Sequence, residues 1–346
     1  MVARSTASSS GEPTERNATA DACSSVPDAA PFRAAARFWG LTPVELLDDC
    51  AIAGSPERCL QRAVVRDVDG KRRLIESLSP AALSRKAAIA ETLQRLADAG
   101  LNAVYPYLPT RRGDRQPFYA GRYWQMMPYL SGVALPRPDW VEHAWRGEAL
   151  ARFLLELRLV SQQAGLDPGT VFSLPDYADA LLARIADHRS DLLPRLEPIR
   201  AQLVDRLWPR YDGLRVAFCH GDYHPLNVIW GGQEIRAVID WEFCGQKPAL
   251  YDLVNLMGCV GVEAPEALTG PLVTALLDAL RAGGWGCDDD WDALPDLVLG
   301  LRFAWLSEWL RKDDAAMIDL ELDYMALLRL RRDELAVRWG VAPFNR

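Results

Sequence analysis

Large apolar residues are almost absent from residues 1–31 and recur at regular spacing through most of the remaining chain. The first stretch is Ser, Ala, Thr, Pro and charge. Such a segment cannot bury enough surface to offset its ordering entropy, so it is expected to be a disordered tail. Order is expected from Phe32. Residues Arg33 to Trp39 read as helix, and Leu41-Thr42-Pro43 as the start of another short helix through Leu47. Three β-type segments come next: Cys50–Ala53, roughly Leu60–Val68, and Arg72–Leu78. Asp69-Gly70 is a strong hairpin turn between the last two. Leu83 to Ala99 carries Ala87, Ala90, Leu93 and Leu96 at helical spacing and stops at Gly100. A further strand pair is predicted around Leu101–Leu108 and Tyr123–Tyr129. The pattern is a small antiparallel sheet with one main helix.

From Pro138 the period changes to that of long helices: Trp140–Gln163, Pro175–Leu193, Leu196–Leu207, Pro271–Ala282, Leu294–Arg311 and Asp314–Trp339. The exception is Leu214–Trp241, where two apolar runs flank a polar signature. These elements predict an α+β chain of two lobes. Residues 32–132 form a β-rich N-lobe with a link near 127–132, and residues 133–346 form a larger, mostly helical C-lobe. The cleft between them is the default ligand site.

Composition narrows the partners. The 346 residues carry a formal net charge of −8. An acidic chain with no long Lys/Arg stripe is a poor nucleic-acid binder. No run approaches the ~20 apolar residues needed to cross a bilayer, and the first residues lack the apolar core of a secretory signal. Seven scattered cysteines with no C-x-x-C pair argue against a disulfide framework or zinc site and fit a reducing cytoplasm.

The polar signature is His220-Gly221-Asp222-Tyr223-His224-Pro225-Leu226-Asn227, followed by Val238-Ile239-Asp240-Trp241-Glu242. Phosphoryl transfer asks little covalent help of a protein. It needs a carboxylate to orient and deprotonate the acceptor hydroxyl, and ligands to hold Mg²⁺ on the phosphates. In protein kinases the base Asp and the metal-binding Asn are five positions apart, with a second Asp on the next hairpin. Asp222 and Asn227 have that spacing, and Asp240 stands where the second Asp would be.

H-G-D-x-H-x-x-N, then I-D-W-E, then Gly245, Pro248 and Tyr251-Asp252-Leu253 resemble the aminoglycoside phosphotransferase family. That family includes choline, homoserine and methylthioribose kinases and shares the protein-kinase-like fold. The resemblance implies an ATP- and Mg²⁺-dependent small-molecule kinase. It implies Asp222 as base, Asn227 and Asp240 as Mg²⁺ ligands, and His220 and Asp252 as braces of the loop. The match is dense over 218–256, plausible in outline from about 50 to 340, and absent over 1–31.

The N-lobe departs from this pattern. Kinase-like folds supply a phosphate-binding lysine from the third strand, held by a glutamate on the next helix. Here the expected lysine position is Glu76. Two alternatives stand. Either the ion pair has its charges exchanged, with Glu76 on the strand and Lys86 on the helix reaching the phosphates, or the register is shifted and Arg73 points into the cleft. Ala53-Gly54-Ser55-Pro56-Glu57-Arg58 offers one glycine to a phosphate-covering loop. In Tyr123–Gly132, Met127 and Tyr129 are the residues whose backbone groups would meet adenine.

The acceptor should be a small hydroxylated molecule, with or without an amine. Arg302, Trp305, Glu308 and Trp309 recur at helical spacing, followed by Asp313, Asp314, Asp319, Glu321 and Asp323. Trp305, Glu308 and Trp309 are candidate substrate contacts, because members of the resembled family use acidic or aromatic groups to bind ammonium. A nucleotide-binding pseudokinase with a regulatory role is the alternative to an active kinase. A protein-directed kinase fits poorly, since the short segment between Asp240 and Tyr251 leaves no room for an activation loop.

Overall fold

The computed structural model describes residues 29–166 and 169–341. Most of the predicted tail lies outside the described residues. Its last three residues do not: they open helix α1 (Ala29–Ala36). The first sheet has strands β1 (Glu45–Leu47), β2 (Gln61–Arg66), β3 (Arg72–Leu78), β4 (Phe118–Tyr119) and β5 (Arg122–Pro128) in the antiparallel order β1-β2-β3-β5-β4. Strand alternation gives this sheet two apolar faces. Ala63, Val65, Ile75, Trp124 and Met126 pack under α1, with Phe32 edge-on to Trp124 at 5.4 Å. Leu74, Glu76 and Met127 look the other way, toward helix α2 (Leu83–Asp98) and the cleft.

Three expectations in this lobe need correction. The segment through Leu47 is an edge strand, not a helix: Glu45 pairs with Arg66 in the ladder, and the two side chains form an ion pair of 2.6 Å. Cys50–Ala53 is loop. Leu101–Leu108 is irregular too, although Leu108 N–H donates to Met126 O at 2.7 Å. Pro106 and Pro109 lack the N–H a ladder requires, so β4 takes the place beside β5. The β2–β3 turn is also wider than Asp69-Gly70 alone. Asp67 Oδ1 accepts from Asp69 N and Lys71 N at 3.0 and 2.8 Å, which sets Arg62 opposite Glu76.

The helical part contains α3 (Ala144–Gln163), α4 (Leu174–His188), α5 (Leu193–Arg206), α6 (Trp208–Tyr211), α7 (Tyr251–Glu263), α8 (Pro271–Ala282), α9 (Asp288–Lys312), α10 (Ala315–Leu330) and α11 (Arg332–Arg338). Helix α7 has no counterpart in the predicted helices. The last predicted helix breaks into α10 and α11. The one predicted from Leu294 starts at Asp288, where Cys287 and Asp290 form a capping box. Two nested hairpins lie against these helices. Strand β6 (Val216–Cys219) pairs with β9 (Gly245–Pro248), and between them in sequence β7 (Val228–Trp230) pairs with β8 (Ile235–Val238). Ile89, Leu93 and Leu96 of α2 join the same core as α3, α7 and α9, which ties the sheet lobe to the helical one. Among the described residues no helix is long and apolar enough to cross a membrane.

Helices α3 and α8 approach so closely that a Cβ on Gly147 would sit 2.1 Å from Leu272 O. Backbone cannot yield as a flexible side chain can. Gly147→Ala is therefore expected to destabilise the chain by about 2–3 kcal/mol, the upper part of the range for overpacked cores, despite alanine's better helix propensity. A chemical-denaturation midpoint at or above that of the parent chain would refute this close approach.

Candidate active site

Strand β6 ends at Cys219, and the chain then turns sharply at Gly221 (φ +84°), where a Cβ would lie 2.1 Å from Phe243 O. No other residue fits that turn without moving the backbone. The buried carboxylate of Asp252, near the start of α7, fixes the turn: Oδ2 accepts from His220 N at 2.7 Å and Oδ1 from Gly221 N at 2.8 Å. His220 is fully buried. Its Nε2 lies 3.0 Å from Ile239 O, and its Nδ1 accepts from Asp222 N at 3.2 Å. Both contacts are met by one neutral tautomer, with the proton on Nε2. Burial holds the His220 pKa down at about 4. His220 thus links the Asp222 turn to the strand end that carries Asp240.

Asn227 donates from Nδ2 to Asp222 O at 2.9 Å and to Asp222 Oδ2 at 3.1 Å, so its amide oxygen is the atom left to face a ligand. His224 Nε2 lies 3.6 Å from the other carboxylate oxygen of Asp222. Burial alone would push the Asp222 carboxyl up. The neighbouring His224, His220 and Asn227 more than offset this and hold it below the usual range. The Asp222 carboxylate is ionised and oriented at neutral pH.

Asp240 follows β8 in the left-handed conformation (φ 65°, ψ 57°), a costly geometry for a residue with a Cβ. Burial pushes its carboxyl above the usual range. The Ser55 N–H bond to Oδ2, 3.2 Å, opposes that shift, and the charge of Asp222 adds to it. Two carboxylates close enough for one to raise the other, with Asp240 carrying an uncompensated desolvation cost, suit a divalent cation.

The cleft runs from Met127 and Leu130 past Leu74 and Ile89 to Lys86, Arg58, Arg62 and Asp240. Glu76 and Lys86 both line it, but they are not each other's partners. Lys86 Nζ pairs with Glu242 Oε2 at 2.7 Å, and Glu76 Oε2 accepts from Gln125 Nε2 at 2.7 Å. The exchanged-charge pair is thereby corrected: the acid that holds Lys86 follows Asp240. Arg73 is also excluded from the cleft, since its guanidinium binds Asp67 at the β2–β3 turn. Gly54 and Ser55 lie at the cleft beside Asp240. Tyr129 N–H donates to Arg72 O at 3.2 Å, so the sheet occupies the donor expected to meet adenine.

The C-terminal residues divide. Trp305 reaches the catalytic loop: its ring lies 6.0 Å from His224, and its Nε1 donates to Asn255 Oδ1 at 3.0 Å. Trp309 stands 5.8 Å beyond it and donates to Glu321 Oε2 at 3.2 Å. Glu308 turns to Arg311 and Lys312, which hold its carboxyl down at about 2. Glu321 is buried in a bidentate pair with Arg302, and Asp319 and Asp323 pair with Arg195. Arg62 was not singled out as a site residue from the sequence, and Glu242 was read beside the metal site rather than as the partner of Lys86. The one available signal was the cross-strand pairing that puts Arg62 opposite Glu76.

With the geometry established, comparison with known proteins places the chain. A model of the phosphotransferase enzyme family matches residues 58–295, more than half its length. The chain belongs to this family. It is a small-molecule kinase that phosphorylates a hydroxyl, and nothing in the comparisons favours a catalytically silent regulator. The homoserine kinase of Rhodopseudomonas palustris is 27% identical over 261 residues, covering 72% of this chain and 77% of that protein. The homoserine kinase of Rhizobium johnstonii is 26% identical over 249 residues, covering 69% and 75%. Among solved structures, an amicoumacin kinase in complex with AMP-PNP and Ca²⁺ superposes with a TM-score of 0.61 at 16% identity, covering 92% of this chain and 96% of that one. A choline/ethanolamine kinase family protein from Mesorhizobium loti gives 0.57 at 17%, covering 90% and 98%. These likenesses establish the two-lobed kinase-like fold.

The brace at Asp252 has a consequence for pH. Burial lifts its carboxyl to about 6, against the two N–H bonds that favour the charge. A group whose pKa is raised by folding binds its proton more tightly in the folded state. Its contribution is therefore greatest below the unfolded value and is lost as pH rises through about 6, a difference on the order of 3 kcal/mol. Protonation also blocks one of the two acceptors. Asp252→Asn is expected to leave stability at neutral pH within about 1 kcal/mol, because the buried charge goes while one N–H loses its acceptor. Turnover should fall at least tenfold, and the acid limb near pH 6 should vanish from the rate profile. A variant that keeps that limb would detach it from Asp252.

Proposed function

We propose that the chain uses Mg²⁺ and ATP to phosphorylate a compact hydroxylated amine such as an amino alcohol or a hydroxy amino acid. The observation that carries this reading is the fixed constellation of Asp222 and Asn227, hydrogen-bonded to each other, with Asp240 lining the cleft close enough to feel the charge of Asp222. Asp222 accepts the proton of the acceptor hydroxyl. Asn227, through its amide oxygen, and Asp240 hold Mg²⁺, which when bound neutralises charge on the transferred phosphoryl group. Two oxygen ligands, with phosphate oxygens and water completing the shell, suit that ion. His220 and Asp252 hold the loop in register.

At the nucleotide end, Lys86 presents the phosphate-binding cation, anchored by Glu242 rather than by a helix glutamate. Gly54 and Ser55 cover the phosphates. The adenine packs against Met127, and Leu130 replaces Tyr129 as the backbone contact in the 127–132 link that divides the N-lobe from the C-lobe.

Charge at the acceptor end favours a small molecule with one ammonium over a polycation. Glu308, Glu321, Asp319 and Asp323 are all committed to cations of the chain itself. Arg302 already lies over one face of Trp305, at 5.4 Å, and Lys312 over one face of Trp309, at 5.6 Å, so each indole has at most its other face for a single cationic centre. The homoserine kinases among its relatives fit that size. The test is ADP release with ATP, Mg²⁺ and, in turn, homoserine, choline, ethanolamine and kanamycin. Turnover with one of the first three is expected. Turnover with kanamycin alone would overturn the acceptor assignment, and none with any acceptor would send the search to larger hydroxylated molecules.

A further inference from the structure

We propose that Arg62 is the positioning residue that builds the phosphate-binding loop of this kinase, by strapping three consecutive backbone carbonyls to its guanidinium so that the N–H groups between them turn the other way. The inference rests on the nucleotide reading above and assigns a role to a side chain outside it. Arg62 sits on β2, and its Nη1 donates to Gly54 O at 3.0 Å and to Ala53 O at 3.3 Å, while Nη2 donates to Ile52 O at 3.4 Å. In a planar trans peptide the carbonyl of one residue and the N–H of the next point in opposite directions. Carbonyls 52, 53 and 54 drawn toward one guanidinium therefore turn the N–H groups of Ala53, Gly54 and Ser55 to the opposite side.

One of these orientations is visible directly. Ser55 N–H points at Asp240 Oδ2, 3.2 Å away, so it faces an anionic group at the metal end of the cleft. Gly54, at φ +83°, supplies the left-handed residue that curves successive N–H groups into an anion-binding concavity. The next residue is Pro56, which has no N–H, so the cradle ends there. A loop with a single glycine has little reason of its own to hold this shape. A planar five-donor fork that spans three carbonyls supplies the constraint, and a lysine, as a point charge, cannot reproduce it. The cross-strand pairing of Arg62 with Glu76 places the strap beside the position where the family would carry its lysine. The ligand is the polyphosphate end of a nucleoside triphosphate.

The test is calorimetric titration of the full chain with Mg·ATP and with adenosine, for the parent protein, Arg62→Met and Arg62→Lys. Both variants are expected to lose ATP affinity by about tenfold to a hundredfold, the range for charge-assisted hydrogen bonds, with adenosine affinity unchanged. Lysine should not rescue. Parent-like ATP affinity in Arg62→Lys would mean that the cation touches phosphate directly and would overturn the strap. So would parent-like affinity in Arg62→Met, or an equal loss for adenosine, which would mark a general packing role. A parent protein that binds ATP no better than adenosine would instead remove the nucleotide reading itself.

Discussion

Asp222→Ala is expected to lower kcat by about 10²- to 10⁴-fold, the span of a lost general base, while Mg·ATP affinity changes by less than about threefold. The separation follows from geometry. The Asp222 carboxylate is held by Asn227 Nδ2 and neighboured by His224, whose ring lies 6.0 Å from Trp305, and the proposed reading puts it on the acceptor side. Its pKa lies below the usual carboxylate range, so the group is ionised at neutral pH. An acid limb near pH 6 in the parent is therefore expected to come from Asp252, and titration of Asp222 itself should appear only at lower pH. Quenched-flow turnover and ATP titration on the same preparation check both halves. Equal losses in kcat and ATP affinity would place Asp222 on the nucleotide instead of the acceptor. Asp222→Asn makes the sharper variant. It keeps the size of the side chain and an acceptor for Asn227, so its loss isolates proton acceptance.

The second large effect is expected at Asp240. Asp240→Asn should remove most of the magnesium-dependent part of ATP binding and reduce kcat/KM by roughly 10²- to 10³-fold, the several kcal/mol that a metal ion supplies. The same variant should be more stable than the parent when no ligand is bound. The parent carboxylate is raised in pKa by burial, so its ionised form is a liability in the folded state that grows as pH rises through its folded value. An amide removes that charge, still accepts from Ser55 N–H, and tolerates the left-handed backbone at least as well. Opposite signs in one variant are the signature of a site held at the expense of stability. Thermal melts with and without Mg·ATP read both. A variant that is destabilised without ligand, or that keeps a full magnesium-dependent shift, would contradict the metal assignment.

The chemistry-bearing hairpins can be read from the chain alone, because spacing along the chain is what such motifs preserve. Asp222 to Asn227, and the apolar strand that delivers Asp240, are local constraints, and the two-lobed plan came from a change of hydrophobic period near Pro138. Wherever the answer depended on a partner distant in sequence, only the tertiary structure decided it. Lys86 falls on the same stripe as Ile89, Ala90 and Leu93, so its burial was legible. Its partner was not, because Glu242 arrives from the far side of the cleft. Leu101–Leu108 failed as a strand for a reason already present in Pro106 and Pro109, whereas β1 needed the free edge of β2 to become a strand at all. The acid-rich C-terminus read as a substrate wall until Arg302, Arg195, Arg311 and Lys312 claimed the carboxylates of Glu321, Asp319, Asp323 and Glu308. A side chain's type is local information. Whether its charge is free for a ligand is set by which other charges the fold brings within a few ångströms, and those come from the whole chain.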